Sequence, residues 1–468
     1  MLFVIVLTPG WINLLRYWLF SPLIIRNIKF GKGAKYRNLL DIYLPVPIIE
    51  STVNDSSVRY FNKSSVPVVV FVSGGAWIIG YKLWSALVAR GLAHFGILVI
   101  VPDYRNFPQG NIEDMMEDIR QAVKWTACNA HRFGGDPNKI VLSGQSAGAH
   151  ITMCLLIHDY LQSEYTKSCF NDDSQSSESV TPDTSEQSSI NDKLDAMSSD
   201  GQLIDEDICL EPPTSRVITA ARVALLSTAE KLELVVPSVR NRRKYNRFSV
   251  SANVRLFIGI SGPYNLLALA SHLHNRGLDF SIINWICNDD VANYSPTTLL
   301  TNYIESKLPS ANNAESTDRC NTNINNQLSS TILEHLTPIA LFHGSDDATI
   351  PVSISTELSS ILQRHGATSS CKIYKGWSHT DAILEAPLNG TMRLLFDMSE
   401  AIYTGTTDSN EVPLCDENGA SKPASSSYMS LDRLADGDDF SYHSHDPSLK
   451  PPMVNSFLVK IARRLNPF

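Results

Sequence analysis

The 468-residue sequence predicts an α/β fold, a mostly parallel sheet covered by helices on both faces. Three observations predict it. β-Branched runs alternate with helix-periodic stretches from Leu39 to Tyr160 and again from Val254 onward. Val66 to Val72 (VPVVVFV) is apolar throughout, the pattern of a strand buried on both faces. A Gly-Gln-Ser-Ala-Gly turn separates the strand-like KIVL from the helix-like AGAHITMCLLIH. A hydrophobic content of 43% is enough for a large core.

In chain order, Leu39 to Leu44 reads as a short strand stopped by Pro45, and Val66 to Val72 as a central strand. Leu83 to His94 is helical and Ile97 to Val101 is a buried strand. Ile112 to Asn129 is a helix, with Met115, Met116, Ile119, Ala122 and Val123 at helical spacing. Lys139 to Leu142 is a strand and Ala147 to Tyr160 a helix. Strands recur at Val254 to Ile260, Pro338 to Phe342 and Cys371 to Tyr374, and helices at Ser353 to His365 and Val454 to Arg464. Residues 163–216, 302–330 and 408–450 are polar and poor in aromatics. They hold too little apolar surface to offset ordering entropy and are expected to be disordered insertions. Val217 to Leu234 has helical character.

Net charge is −9, and the insertion from Ser163 to Arg216 carries thirteen acidic against three basic residues. The rest of the chain is therefore near neutral and offers no general basic face for nucleic acid. The basic run Arg240 to Arg247 reads as a solvated flank or a partner for the acidic insert; attraction to anionic headgroups is the rival reading. The eight cysteines are scattered without a C-x-x-C pair, which argues against a disulfide scaffold or zinc site. Cys154 and Cys371 read as inert thiols in apolar runs, mildly favouring a reducing compartment. Sequons at Asn54, Asn62, Asn293 and Asn389 pull weakly the other way.

Met1 to Ile25 is strongly apolar but lacks the basic start and cleavage site of a secretory signal. Pro9-Gly10 and Arg16 argue against a clean transmembrane helix. Residues 1–28 are read as a membrane-associating segment, spanning or lying on the surface, ahead of a catalytic domain over 29–468; packing on the protein's own core is the competing reading. Arg26, Lys29, Lys32, Lys35 and Arg37 follow, and for a spanning segment the positive-inside bias places the catalytic body in the cytosol.

Gly144-Gln145-Ser146-Ala147-Gly148 between strand and helix is the context of a nucleophile elbow, a tight turn that exposes a serine Oγ. A serine hydroxyl is a weak nucleophile and needs a base, which an acid must orient. On such a fold the acid and then the histidine follow the serine. After the strand PIALF comes His343-Gly344-Ser345-Asp346-Asp347, where a carboxylate at a strand's carboxyl end faces the crevice. Asp347 is the chosen acid, with Asp346 as its competitor. His379, in the loop after strand CKIY, is the base. Ser73-Gly74-Gly75-Ala76-Trp77 follows the central strand, where backbone N–H groups can meet a tetrahedral oxyanion. The Gly75, Ala76 and Ala147 N–H groups are the expected donors. This chemistry calls for no metal or cofactor.

With these elements in place, the chain resembles the isoprenylcysteine α-carbonyl methylesterases, carboxylesterases of the α/β-hydrolase fold. The resemblance rests on KYRNLLDIYLP, SGGAWIIGYKLW, VPDYRNFPQG, FGGDPNKIVLSGQSAGAHI, GISGPYNLLALASHLHNRGLD, YSPTTLL, LFHGSDD, WSHTD and RRLNPF, and weakly on TPGWINLLRYW. It implies a Ser146, Asp347 and His379 triad, with Gly74, Gly75, Ala76, Gln145 and Ala147 lining the oxyanion and substrate site. It also implies hydrolysis of the methyl ester of a carboxyl-terminal prenylated cysteine, releasing methanol, at endoplasmic reticulum and Golgi membranes. Many related esterases carry histidine where this chain has Ser73, a position that orients the loop. Trp77, Ile78, Ile79, Tyr81, Trp84 and the run Ser281 to Ile286 form either a lipid-accepting wall or core.

Two rivals stay open at this level. One is an esterase, lipase or formamidase-like hydrolase of the same fold with another acyl substrate. The other is a non-catalytic binding module on a hydrolase fold.

Overall fold

Eight strands form one sheet in the computed structural model, which describes residues 7–31, 37–45, 49–50, 59–60, 65–175, 248–277, 279, 281–308, 331–406 and 454–465. The strands are β1 (Ile24–Lys29), β2 (Leu39–Tyr43), β3 (Val66–Val72), β4 (Leu98–Pro102), β5 (Gly135–Gln145), β6 (Val254–Ile260), β7 (Ile339–Gly344) and β8 (Ser369–Tyr374). Their spatial order is β1-β2-β4-β3-β5-β6-β7-β8. β2 runs antiparallel to β1 and β4, and every other pairing is parallel. A short ribbon, Ile49–Glu50 with Arg59–Tyr60, stands apart.

β3 and β4 are apolar at every position because each feeds two cores. In β3, Val68, Val70 and Val72 enter one core while Val69 and Phe71 enter the other. The first core takes helices α3 (Ile112–Asn129) and α4 (Ala147–Gln175). The second takes α1 (Thr8–Phe20) and α2 (Ala86–His94). α5 (Leu266–Asn275), α6 (Ser281–Ile286), α7 (Pro296–Lys307) and α8 (Val352–Arg364) join the first face. α9 (Arg393–Thr406) and α10 (Ser456–Leu465) join the second. α3 starts where Asn111 and Asp114 cap each other's backbone N–H groups.

Several boundaries differ from the sequence reading. The apolar amino terminus does not end in a separate segment at residue 28, because its last part, Ile24–Lys29, is an edge strand of the sheet. Pro9 does not break α1; it sits in the first turn, where its missing N–H has no helical partner to lose. α1 buries Leu14 and Gly10, the latter against Val454 and Leu388, and exposes Ile12, Leu15, Leu19 and Phe20. The core reading of this segment therefore holds for one face of α1, and the other face is exposed. Among the described residues no helix is long and apolar enough to cross a membrane. Of the following basic residues, Arg26 is tied to the Trp18 and Ser21 carbonyls, and Arg37 to those of Tyr104 and Gly80.

α4 continues to Gln175, past the expected insertion boundary at 163, and α7 continues to Lys307, past that at 302. Polar composition hid both extensions. The chain returns at Phe248, where Asp159 of α4 accepts hydrogen bonds from Ser249 Oγ at 2.8 Å, Ser251 N at 3.0 Å and Ser251 Oγ at 3.0 Å, and from Arg120 Nη1 at 2.7 Å. Residues 217–234, the basic run 240–247 and the stretch 408–450 lie outside the described residues. Cys128, Cys154, Cys287 and Cys371 form no disulfide; Cys154 is buried and Cys371 half-buried.

Candidate active site

The elbow lies where β5 passes into α4. Ser146 is held at φ 53°, a left-handed conformation that costs a non-glycine residue about 1 kcal/mol or more. Its N–H donates to the Ile260 carbonyl at 2.9 Å, so the neighbouring strand β6 helps hold the turn. A Cβ on Gly144 would lie 2.5 Å from the Gly148 carbonyl carbon, and one on Gly148 would lie 2.3 Å from the Val72 oxygen. Both positions must be glycine for strand and helix to approach this closely.

The three side chains read from the sequence meet here. His379 Nε2 is 2.9 Å from Ser146 Oγ, and His379 Nδ1 is 2.8 Å from Asp347 Oδ2. All three residues are buried. The adjacent carboxylate, Asp346, is exposed and accepts from Ser345 Oγ, so Asp347 is the one that faces the histidine.

Asp347 is over-determined. Its Oδ1 accepts the Thr349 and Ile350 N–H groups at 2.9 and 2.8 Å. Its Oδ2 is also 3.2 Å from His343 Nε2. Burial pushes its carboxyl pKa up, but the hydrogen bonds from His343 and His379, the His379 charge and the Ile350 N–H outweigh burial. The carboxyl stays ionised well below the usual carboxylate range. With Asp347 accepting at Nδ1–H, His379 Nε2 is left as the acceptor toward the Ser146 hydroxyl.

Sequence reasoning missed several residues that hold this arrangement. His343, four residues before the acid, bridges Asp347 and Ser355 Oγ. His272 and Arg276, from the SHLHNRG stretch, both donate to the Ala348 carbonyl beside the acid. Ser378 N and Arg463 Nε donate to Asp381 at 2.8 and 2.7 Å, joining the histidine loop to α10. Directly after the loop, Asp381–Glu385 winds as a π-helical turn, a form that often marks functional sites. Motif identity was the available signal for His343, His272 and Arg276; nothing local pointed to Arg463.

The expected oxyanion loop lies against the elbow. A Cβ on Gly74 would meet Gln145 Oε1 at 2.3 Å and Ser146 Cβ at 2.9 Å. Gly75 (φ 132°), Ala76 (φ 49°) and Trp77 (φ 61°) form three successive left-handed residues. Among the described residues, no backbone hydrogen bond takes the N–H of Gly75, Ala76 or Ala147. Gln145 is buried, with Nε2 3.5 Å from His379 Nε2. The apolar candidates divide. Trp77, Ile283 and Ile286 are core, whereas Ile78, Ile79, Trp84 and Trp285 are exposed. No group of three or more metal-ligating side chains occurs among the described residues.

A family model described as BD-FAE matches residues 58–191. A probable isoprenylcysteine alpha-carbonyl methylesterase of Oryza sativa subsp. japonica is 31% identical over 407 residues, covering 86% of this chain and 68% of the relative. The isoprenylcysteine alpha-carbonyl methylesterase of Arabidopsis thaliana is 30% identical over 471 positions, covering 100% of this chain and 75% of the relative. Among solved structures, esterase B from Lactobacillus rhamnosis aligns with TM-score 0.46 and 13% identity, over 82% of this chain and 87% of that one. An elbow serine at hydrogen-bond distance from a histidine, on an eight-stranded hydrolase sheet, thus coincides with two long alignments to methylesterases: the chain is a carboxylic ester hydrolase and belongs to the isoprenylcysteine α-carbonyl methylesterase family.

Proposed function

We propose that the protein hydrolyses the methyl ester of a carboxyl-terminal prenylated cysteine, with Ser146, His379 and Asp347 as the catalytic triad. The observation that carries the chemistry is the buried relay Ser146–His379–Asp347, with contacts of 2.9 and 2.8 Å. The relatives named as isoprenylcysteine methylesterases support the substrate.

His379 Nε2 takes the Ser146 proton as Oγ attacks the ester carbonyl. The N–H groups of Gly75, Ala76 and Ala147 receive the developing oxyanion, and Asp347 stabilises the imidazolium. His379 returns the proton to the methoxy oxygen, and methanol leaves. Water, deprotonated by the same nitrogen, then attacks the acyl-enzyme; the imidazolium returns that proton to Ser146 Oγ as the acyl–oxygen bond breaks, and the freed prenylcysteine acid ionises.

The proposed working place is a membrane surface, of the endoplasmic reticulum and Golgi, with the catalytic body cytosolic. α1 exposes Ile12, Leu15, Leu19 and Phe20, and the oxyanion loop runs into exposed Ile78, Ile79 and Trp84. The Trp11 and Trp84 rings meet edge to face at 5.6 Å, which sets the two apolar exposures side by side. Such a surface suits a bilayer interface and a lipid-bearing substrate.

The test is hydrolysis of farnesylcysteine methyl ester by the wild-type protein and Ser146→Ala, beside a short p-nitrophenyl ester. Preference for the prenylated ester with no turnover by Ser146→Ala supports the proposal. Equal turnover of both esters overturns the substrate, and retained turnover by Ser146→Ala overturns the nucleophile.

A further inference from the structure

The oxyanion loop is strained, and its conformation must be imposed from outside. Ala76 and Trp77 both occupy the left-handed region, at a cost of about 1–3 kcal/mol each. Ser73, at the position where related esterases carry an orienting histidine, does not impose it: its hydroxyl is buried without a hydrogen-bond partner in the structure. Tyr104 Oη donates to the Ser73 carbonyl, while Asn106 and Arg37 donate to that of Gly80. These contacts fasten the two ends of the loop.

Its middle is gripped by Trp77. The indole is buried, and its Nε1–H donates to His150 Nδ1 at 3.2 Å. The two rings meet edge to face at 5.3 Å. The Trp77 carbonyl accepts the Phe107 N–H at 2.8 Å, clamping the residue from its other side. His150 is fully buried in the first turn of α4, and its N–H donates to the Ser146 carbonyl at 3.0 Å. Its Nε2 lies 2.6 Å from the Tyr294 carbonyl, which Cys154 Sγ also approaches at 3.2 Å.

These partners fix one state of the ring. An indole N–H only donates and a carbonyl only accepts, so Nδ1 is bare and Nε2 carries the hydrogen. A protonated ring would set two N–H groups against each other at Trp77. Burial likewise holds this imidazole neutral, with a pKa of about 4.

We propose that His150 is a positioning residue for the oxyanion hole: bonded to Trp77 from the helix that carries Ser146, it holds the Ala76 N–H at a fixed place relative to the nucleophile. It touches no reacting atom. The proposal rests on the esterase reading of the site.

The test compares Trp77→Phe, which keeps a ring but lacks the N–H, with His150→Leu, His150→Asn and the double variant Trp77→Phe/His150→Leu. Turnover of a p-nitrophenyl ester and inhibition by a trifluoromethyl ketone, whose hemiketal oxygen occupies the oxyanion hole, are measured. Loss of a whole oxyanion donor costs about 100- to 1,000-fold in kcat, so its displacement is expected to cost about tenfold or more. Trp77→Phe and His150→Leu each lower kcat by that factor with KM changed less than about twofold, and weaken the ketone in parallel. The double variant loses no more than the worse single one. His150→Asn, whose Oδ1 can accept near the place of Nδ1, regains most of the activity. Should His150→Leu fail to fold, Trp77→Phe and His150→Asn decide the matter. Unchanged kcat in Trp77→Phe, multiplying losses in the double variant, or a rise in KM alone overturns the proposal. A wild-type protein that turns over no ester overturns instead the reading of the site beneath it.

Discussion

Arg463, in the last helix of the chain, donates Nε to Asp381 at 2.7 Å, and Asp381 accepts the backbone N–H of Ser378, the residue before His379. The carboxylate is buried and the guanidinium partly exposed. A helix some eighty positions downstream therefore braces the loop that presents the base. Removing Arg463 leaves a buried carboxylate without its cation, a costly arrangement. Arg463→Ala is expected to lower kcat about tenfold and to lower the unfolding temperature, with Arg463→Lys restoring part of each. Steady-state kinetics and thermal unfolding on the same preparations check it.

The two neighbouring aspartates separate cleanly. Asp347→Asn keeps the shape but loses the charge that stabilises the imidazolium, and kcat is expected to fall by about four orders of magnitude. Asp346→Asn, at an exposed carboxylate, is expected to stay within about twofold of wild type. Ester turnover by the pair checks the assignment of the acid.

Glu385 closes the π-helical turn and is fully buried, with Thr380 Oγ1 donating to it at 2.8 Å. Burial, reinforced by the Asp381 carboxylate, raises its pKa from 4.5 to about 7. The folded state therefore binds this proton more tightly than the unfolded chain, and stability falls as pH rises from 4.5 to 7. Above pH 7 the full penalty is present, on the order of 3 kcal/mol. Glu385→Gln is expected to raise the unfolding temperature at pH 8 and to leave it nearly unchanged at pH 4.5. Calorimetry across that range checks the sign.

The two faces of α1 predict opposite behaviour. Leu14 is buried, and Leu14→Ala is expected to cost about 2–5 kcal/mol of stability. Leu15, Leu19 and Phe20 are exposed. The triple variant Leu15→Ser, Leu19→Ser, Phe20→Ser is expected to keep stability within about 1 kcal/mol. Its partitioning onto phospholipid vesicles falls at least about tenfold, each side chain contributing about 1.5 kcal/mol or more when taken from water. Vesicle flotation and denaturant unfolding check the two arms.

The parts of this architecture that follow from local chemistry were readable in the sequence. β3 and β6 coincide with the expected runs because apolar residues fill nearly every position, exposed Arg255 of β6 being the exception. α3 has a capping box at its start and a helical apolar stripe, and its expected bounds match. Ser146, Asp347 and His379 each follow a strand at the same end of the sheet, so strand order alone brought them together on paper. β1 was hidden because IIRNIK continues an apolar segment whose membrane-like composition dominated its reading. Its pairing with β2, and the buried Lys82–Asp41 ion pair to which Trp18 Nε1 also donates, are set by tertiary contact. His150, His272, Arg276 and Arg463 escaped for the same reason. Each acts on a backbone or side chain far away in sequence, and no spacing rule reports such a partner.

Asp159 gathers the returning chain at Ser249 and Ser251 onto the very helix from which it departed. Departure and return are thus both carried by α4, which fixes the distance that the intervening stretch has to span. The entropic cost of closing such a stretch grows only with the logarithm of its length, about 0.6 kcal/mol per doubling. A change in the length of that stretch is therefore expected to add little strain where Asp159 holds the returning chain.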